Sequence, residues 1–205
     1  MTRLRLDHIA VAGNTLAEAK AHIEDALGVS LQPGGQHPRF GTHNTLLGLA
    51  DGLYLEAIAI DPDAPKPDRP RWFGLDQFGG PARLTTWICA TDDLADLPPG
   101  MEDAGSPVAL TRGDLAWQMS VPDDGALPFD GLHPALIQWE GTAHPAARLA
   151  DAGCRLLRLD IRHPDAAQLS ARLTPHLDDP RLSFATGPAS LSAEFETPHG
   201  RRVLT

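Results

Sequence analysis

Apolar and polar residues alternate from the start of the chain. Leu4, Leu6, His8 and Ala10 share one face of an extended segment, and Arg3, Arg5 and Asp7 share the other. That period of two predicts a half-buried strand over residues 3–11, with His8 turned inward and Asp7 turned to solvent. A helix is predicted next. Thr15 and Glu18 have capping-box spacing, Leu16, Ala19, Ile23 and Ala26 form an apolar stripe, and Gly28 supplies the stop. Pro33-Gly34-Gly35 predicts a turn, residues 42–49 an extended stretch, Asp51-Gly52 a hairpin turn, and residues 53–60 a further strand. The first unit therefore reads β-α-β-β-β.

Residues 62–82 are rich in Pro, Gly and Asp, which marks a connector, but Trp72, Phe73 and Phe78 within it predict that it packs onto the body. The pattern then restarts. Strands are predicted over 83–91, 106–111, 116–121 and 135–140, with only a weak helical turn or loop at 92–101. A partial third unit follows: a short helix over 145–152, a strand over 154–161, and a helix over 164–177 with Leu169, Leu173 and Leu177 stacked on one face. Strands at 181–185, 190–196 and 202–204 close the chain, the last after a turn at His199-Gly200. The class is α+β, a single domain unit with a first module over 1–61, a connector over 62–82, a degenerate second module over 83–141 and a partial module over 142–205.

The chain has 205 residues, 42% hydrophobic and 21% charged, the make-up of an ordinary globular protein. It holds no apolar run near the roughly 20 residues that span a bilayer, and its first residues lack an apolar signal core. A cytoplasmic location is the resulting expectation. The formal net charge is −10 and no basic run offsets it, which argues against nucleic acid and anionic membranes as partners. Cys89 and Cys154 lie far apart among apolar neighbours with no zinc spacing, so buried, unpaired thiols are expected.

His8 and Glu56 carry the first candidate chemistry. Glu56 shares a strand face with Tyr54 and Ile58, so both groups are expected to point into an apolar interior. A buried carboxylate must be paired, protonated or bound to a metal. The two could ligate one divalent ion, act as an acid–base dyad, or form a hydrogen-bonded pair. The segment 35–44 is the second candidate: His37, Arg39, His43 and Asn44, with Phe40, suit an anionic or carbonyl-bearing small molecule. Strand alternation lets only one of His43 and Asn44 face a cleft. Trp87 and Trp139 read as core or pocket wall, and His144 as a loop residue.

Several of these segments resemble the glyoxalase-like domain family of the vicinal-oxygen-chelate superfamily, which also holds bleomycin-resistance proteins and extradiol dioxygenases. The opening Leu6-Asp7-His8-Ile9-Ala10-Val11 looks like the superfamily's first strand. Residues 34–56, with Gly-Gly-x-His-Pro, Gly-Thr-x-Asn and Tyr-Leu-Glu in that order, resemble the narrower family, as do residues 72–76, 136–139 and 144–145. The resemblance implies paired modules whose curved mixed sheets make a cleft, and an enzyme of lyase, isomerase or oxygenase type acting on a carbonyl or vicinal-oxygen compound. It implies a divalent metal (zinc, iron, manganese or nickel) on His8 and Glu56. In the second module Thr86 stands where the next histidine would be and Gln138 near the last glutamate, both weak neutral ligands. His37, Arg39, His43, Asn44, Gln138 and Trp139 are then candidate substrate-binding residues, with His8 and Glu56 catalytic. A homodimer is a further implication. The alternatives are a non-catalytic small-molecule binding protein and a metal-independent enzyme using His8 and Glu56 as acid and base.

Overall fold

A computed structural model describes residues 3–205. The first half forms β1 (Arg5–Ala12), α1 (Leu16–Leu27), β2 (Gln32–His37), β3 (Thr42–Gly48) and β4 (Tyr54–Ile60). The Thr15 hydroxyl accepts the Glu18 N–H at the start of α1, and Gly28 ends the helix in the left-handed region at φ 73°. Between β3 and β4, Asp51 and Gly52 both take positive φ, the conformation a tight hairpin requires.

Next come β5 (Arg83–Ala90), β6 (Ser106–Arg112), β7 (Leu115–Val121) and β8 (Ala135–Glu140), with one 3₁₀ turn at Glu102–Ala104 where the first half has α1. These strands and β1–β4 make one eight-stranded mixed sheet, ordered β2-β3-β4-β1-β5-β8-β7-β6. The strands β9 (Arg155–Arg162), β10 (Leu182–Ala185), β11 (Ser190–Thr197) and β12 (Gly200–Leu204) form a second sheet ordered β10-β9-β11-β12, with α2 (Ala166–Leu173) between β9 and β10.

Two apolar clusters result. One holds α1, α2 and the second sheet against one face of the large sheet, through Ile23, Leu27, Leu55, Trp87, Leu169 and Phe195 among others. Each such side chain taken fully out of water contributes about 1.5–3 kcal/mol. The other cluster lines the opposite face, where Ala10, Ile58, Ile88, Trp117 and Ile137 meet Phe40, Trp72 and Leu75. The connector is thus packed, with Trp72 only 3% exposed. The edge strands β2 and β6 also come into contact, so the sheet curls around this second face.

Three local expectations are corrected. Pro33-Gly34-Gly35 is not a free turn but part of β2, which pairs with β3 through a register shift between Pro33 and Gln36. The helix expected over 145–152 is a single 3₁₀ turn at Pro145–Ala147. There the Gln32 amide exchanges hydrogen bonds with the Ala150 backbone, and Asp151 bridges Gly48, which ties the segment to β2 and β3 in place of a helix. The later helix spans Ala166–Leu173 within the predicted 164–177, and Leu177 remains buried just beyond it. Both cysteines are free and buried, and burial pushes both thiols up from their ordinary pKa. Among the described residues, no helix is long and apolar enough to cross a membrane.

Candidate active site

The curled face encloses a cleft with about 30 Å³ of free volume, lined by His8, His37, Asn44, Tyr54, Glu56, Trp72, Arg112, Trp117, Trp139 and several apolar neighbours. That volume admits one or two water-sized groups, such as the reacting end of a small molecule.

A break in strand alternation builds the cleft's floor. In β1 the register against β5 slips between Leu6 and His8, so Asp7 is an extra, bulged residue. Leu6 consequently joins the back cluster, while Asp7 and His8 both reach the cleft side. The expectation that Asp7 faces solvent is therefore overturned; it is 5% exposed. Asp7 Oδ1 lies 2.6 Å from His8 Nδ1, and Asp7 Oδ2 accepts from Trp139 Nε1 at 3.0 Å and from His144 Nε2 at 3.1 Å. Burial pushes Asp7 up, but the bonds from His144 and His8 and the charge they can carry outweigh it. Its carboxyl stays well below the usual carboxylate range. An ionised Asp7 can only accept, so His8 Nδ1 carries a proton and its Nε2 is left facing the cleft. The His8 ring stacks on Tyr54 at a 4.2 Å centroid distance.

His8 Nε2 stands 3.7 Å from Glu56 Oε2. Both are buried, as the sequence predicts for inward positions. Asn44 Nδ2 donates to Glu56 Oε1 at 2.5 Å, while its Oδ1 accepts from the Gly35 N–H at 2.8 Å and from Arg112 Nη1 at 3.3 Å. His37 lies beside them. Its Nε2 is 3.3 Å from Arg112 Nη1, and its Nδ1 is 3.1 Å from Thr42 Oγ1. Burial first, then the Arg112 charge, brings the His37 pKa from 6.5 down to about 3, so this ring is neutral near pH 7.

The structure thus gathers His8, Glu56, His37, Asn44 and Trp139 at one cleft. It leaves three expected residues outside. Arg39 is exposed and reaches the Ala109 carbonyl at 3.3 Å. His43 points to the other side of β3, 4.0 Å from Asp61, as alternation against Asn44 requires. Gln138 is turned away between the inward Ile137 and Trp139, and its Oε1 accepts the Leu94 N–H at 2.8 Å. Gln138 therefore does not reach His8 and Glu56 as a ligand.

The second half mirrors the first without its chemistry. In β5 the register slips between Leu84 and Thr86, leaving Thr85 as the extra residue in the way that Asp7 is extra in β1. Thr85-Thr86 in β5 therefore correspond to Asp7-His8 in β1, and Ile88 corresponds to Ala10, while across the ladder His8 pairs with Ile88 and Ala10 with Thr86. Ala10 pairs with Glu56 and Ile88 pairs with Ala135, so the counterpart of Glu56 is Ala135, not Gln138. At the four positions that the resemblance assigns to ligands, His8 and Glu56 are the strong donors, and both come from the first module. Among the described residues, no group of three or more His, Cys, Asp or Glu side chains is placed to hold a metal ion. That set does not fit a resident divalent ion held by three or four protein donors.

Sequence reasoning missed Asp7, Trp72, Arg112 and His144. Arg112 had a signal: Val108, Leu110 and Arg112 share one strand face, so a cation continues an apolar stripe. Asp7 had none, because a bulge is set by strand pairing.

The chain belongs to the glyoxalase-like domain family, whose sequence model matches residues 6–177. It thereby falls in the vicinal-oxygen-chelate superfamily. None of the curated proteins matches it. A hypothetical protein from Staphylococcus aureus superposes with a TM-score of 0.52 at 15% identity, covering 82% of this chain and 72% of that one. That likeness supports the fold alone. Methylmalonyl-CoA epimerase from Mycobacterium tuberculosis gives 0.43 at 17% identity, with 67% of this chain and 88% of that one covered. The Mn(II)-bound glyoxalase from Novosphingobium aromaticivorans gives 0.49 at 10%, with 99% and 81% covered.

Proposed function

We propose that the cleft belongs to an enzyme that moves a proton on a small carbonyl or vicinal-oxygen compound, with His8 and Glu56 as its acid–base pair. The observation that carries this reading is the Asp7–His8 contact at 2.6 Å, in a cleft where His8 Nε2 stands 3.7 Å from Glu56 Oε2. An ionised carboxylate behind a histidine fixes its tautomer and ring orientation. In the proposed step, His8 Nε2 takes a proton from the carbon next to a carbonyl. The C–H electron pair passes into the C=O to give an enolate, and the resulting imidazolium lies between Asp7 and Glu56. Glu56, held by Asn44, relays or returns the proton. Arg112 is the cation in the cleft that can face the developing oxyanion.

Proton exchange tests this directly, whichever reaction the proton transfer serves. Small 2-oxo and 2-hydroxy-carbonyl compounds are incubated with the protein in D₂O, and α-proton exchange is followed by NMR. The expected result is catalysed exchange in the parent, reduced about 10²–10⁴-fold in His8→Gln and in Glu56→Gln. Exchange equal in parent and variants would sink the acid–base assignment. A second reading, a binding protein, has one observation in its favour: Trp72, Trp117 and Trp139 all line the cleft. Saturable quenching of tryptophan fluorescence without any exchange would favour it.

A further inference from the structure

Arg112 steadies the Asn44 amide that holds Glu56, and Trp72 lines the same cleft, yet each keeps donors that no protein group among the described residues uses. Among the described residues, Arg112 has no carboxylate within ion-pair distance; its polar contacts there are His37 Nε2 and Asn44 Oδ1, both neutral and each 3.3 Å away. A guanidinium carries five N–H donors, and Nη1 alone serves these contacts. Trp72 is 3% exposed, and its indole Nε1–H is buried without any acceptor among the described residues. A buried donor left unpaired costs free energy that a bound acceptor would restore. The two groups are neighbours of the same ring. The Trp72 and His37 rings lie 5.0 Å apart, and Arg112 Nη1 reaches the His37 nitrogen.

The backbone is shaped around this cation. A Cβ on Gly35 would fall 2.6 Å from Arg112 Cδ and 3.2 Å from its Nε, so the bare glycine lets the arginine stem cross β2 from the far edge of the sheet. A Cβ on Gly34 would fall 2.1 Å from Asn44 Oδ1. Asn44 in turn spans the two charges, accepting from Arg112 and donating to Glu56. The amide thereby spares the guanidinium from neutralisation by the cleft's own carboxylate.

We propose that Arg112 and Trp72 Nε1 form an anion-binding subsite beside His8 and Glu56, and that the substrate is a small carboxylate-bearing carbonyl compound. This rests on the acid–base reading above and names its substrate class. The donor geometry argues for a carboxylate, a planar group that a guanidinium grips through two parallel bonds.

The test compares 2-oxobutanoate with its methyl ester, the same carbonyl with and without the charge. Binding is read by calorimetry and α-proton exchange by NMR, on the parent, Arg112→Gln, Arg112→Lys and Trp72→Phe, each checked for an unchanged thermal melt. The parent is expected to bind the acid about 10–100-fold more tightly than the ester. Arg112→Gln should abolish that preference while still binding the ester, Arg112→Lys should keep part of it, and Trp72→Phe should lower acid affinity several-fold. Equal affinity for acid and ester, no binding of either at millimolar concentration, or a preference that survives Arg112→Gln would overturn the proposal. The two claims separate cleanly. Exchange on the ester with no preference for the acid defeats the subsite alone, whereas a preference for the acid with no exchange on either defeats the acid–base reading alone.

Discussion

Asp7 controls His8 through one hydrogen bond, and that bond sets which ring nitrogen is free to react. Asp7→Asn keeps the shape but can present an N–H to Nδ1, which would favour the opposite tautomer. Exchange activity should then fall about 10²–10⁴-fold with little change in substrate affinity. The measurement is paired: the exchange rate, and the ¹⁵N shifts of the His8 ring, which should report a proton moved to Nε2. Unchanged shifts with lost activity would leave Asp7 a merely structural role. His37 supplies a second prediction, in stability. Its folded pKa is depressed from 6.5 to about 3, so as the pH falls the unfolded chain takes up the proton first. The stability contributed by the neutral ring is present above about pH 6.5 and is lost progressively toward pH 3, with a limiting slope of about 1.4 kcal/mol per pH unit. In His37→Gln that slope should be smaller by the one proton, as followed by urea melts across the range.

At the scale of elements, β2 matters most among the strands because its glycines are occupied from outside. Gly34 and Gly35 together look like a turn, yet they lie in a strand whose missing side chains admit Asn44 and Arg112. Gly35→Ala should leave the melt close to the parent's, since the clash is with a flexible arginine stem that can swing away. It should weaken 2-oxobutanoate binding about tenfold, as partial loss of the charged contact implies. Gly34→Ala is the harsher change, because its Cβ would also fall 2.6 Å from the Asn44 backbone carbonyl oxygen. It should destabilise the fold by about 1–3 kcal/mol by thermal or chemical melting. The two bulges are the other decisive elements. The one at Asp7 turns two consecutive side chains to the cleft side, and its counterpart in β5 falls at Thr85, beside Thr86, where neither side chain titrates near neutral pH.

For the whole molecule, the curl of the eight-stranded sheet makes one cleft from two unequal halves. The first half supplies Asp7, His8, Asn44 and Glu56, while the second supplies Arg112, Trp117, Trp139 and His144. The connector adds Trp72, and the second sheet closes the back of the large one.

The α+β class, most strands, the first helix with its cap, and the inward placement of His8 and Glu56 were legible in the chain. These follow from short-range causes: hydrophobic period, capping residues and turn glycines act within a few positions of one another. The split between His43 and Asn44 was legible for the same reason. What lay beyond reach depended on partners distant in sequence. Asp7 faces the cleft because β5 fixes a register that inserts an extra residue, and alternation alone gives the opposite answer. Gln138 is excluded because β8 aligns Ala135, not Gln138, with the level of Glu56. The span 145–152 lost its helix to hydrogen bonds from Gln32, more than a hundred residues earlier. Arg112 gained its place only when the far edge of the sheet curled back to β2. Local pattern thus determined the elements and the direction of most side chains. Tertiary pairing decided which charges meet, because register and curvature are fixed by contacts between strands and not within them.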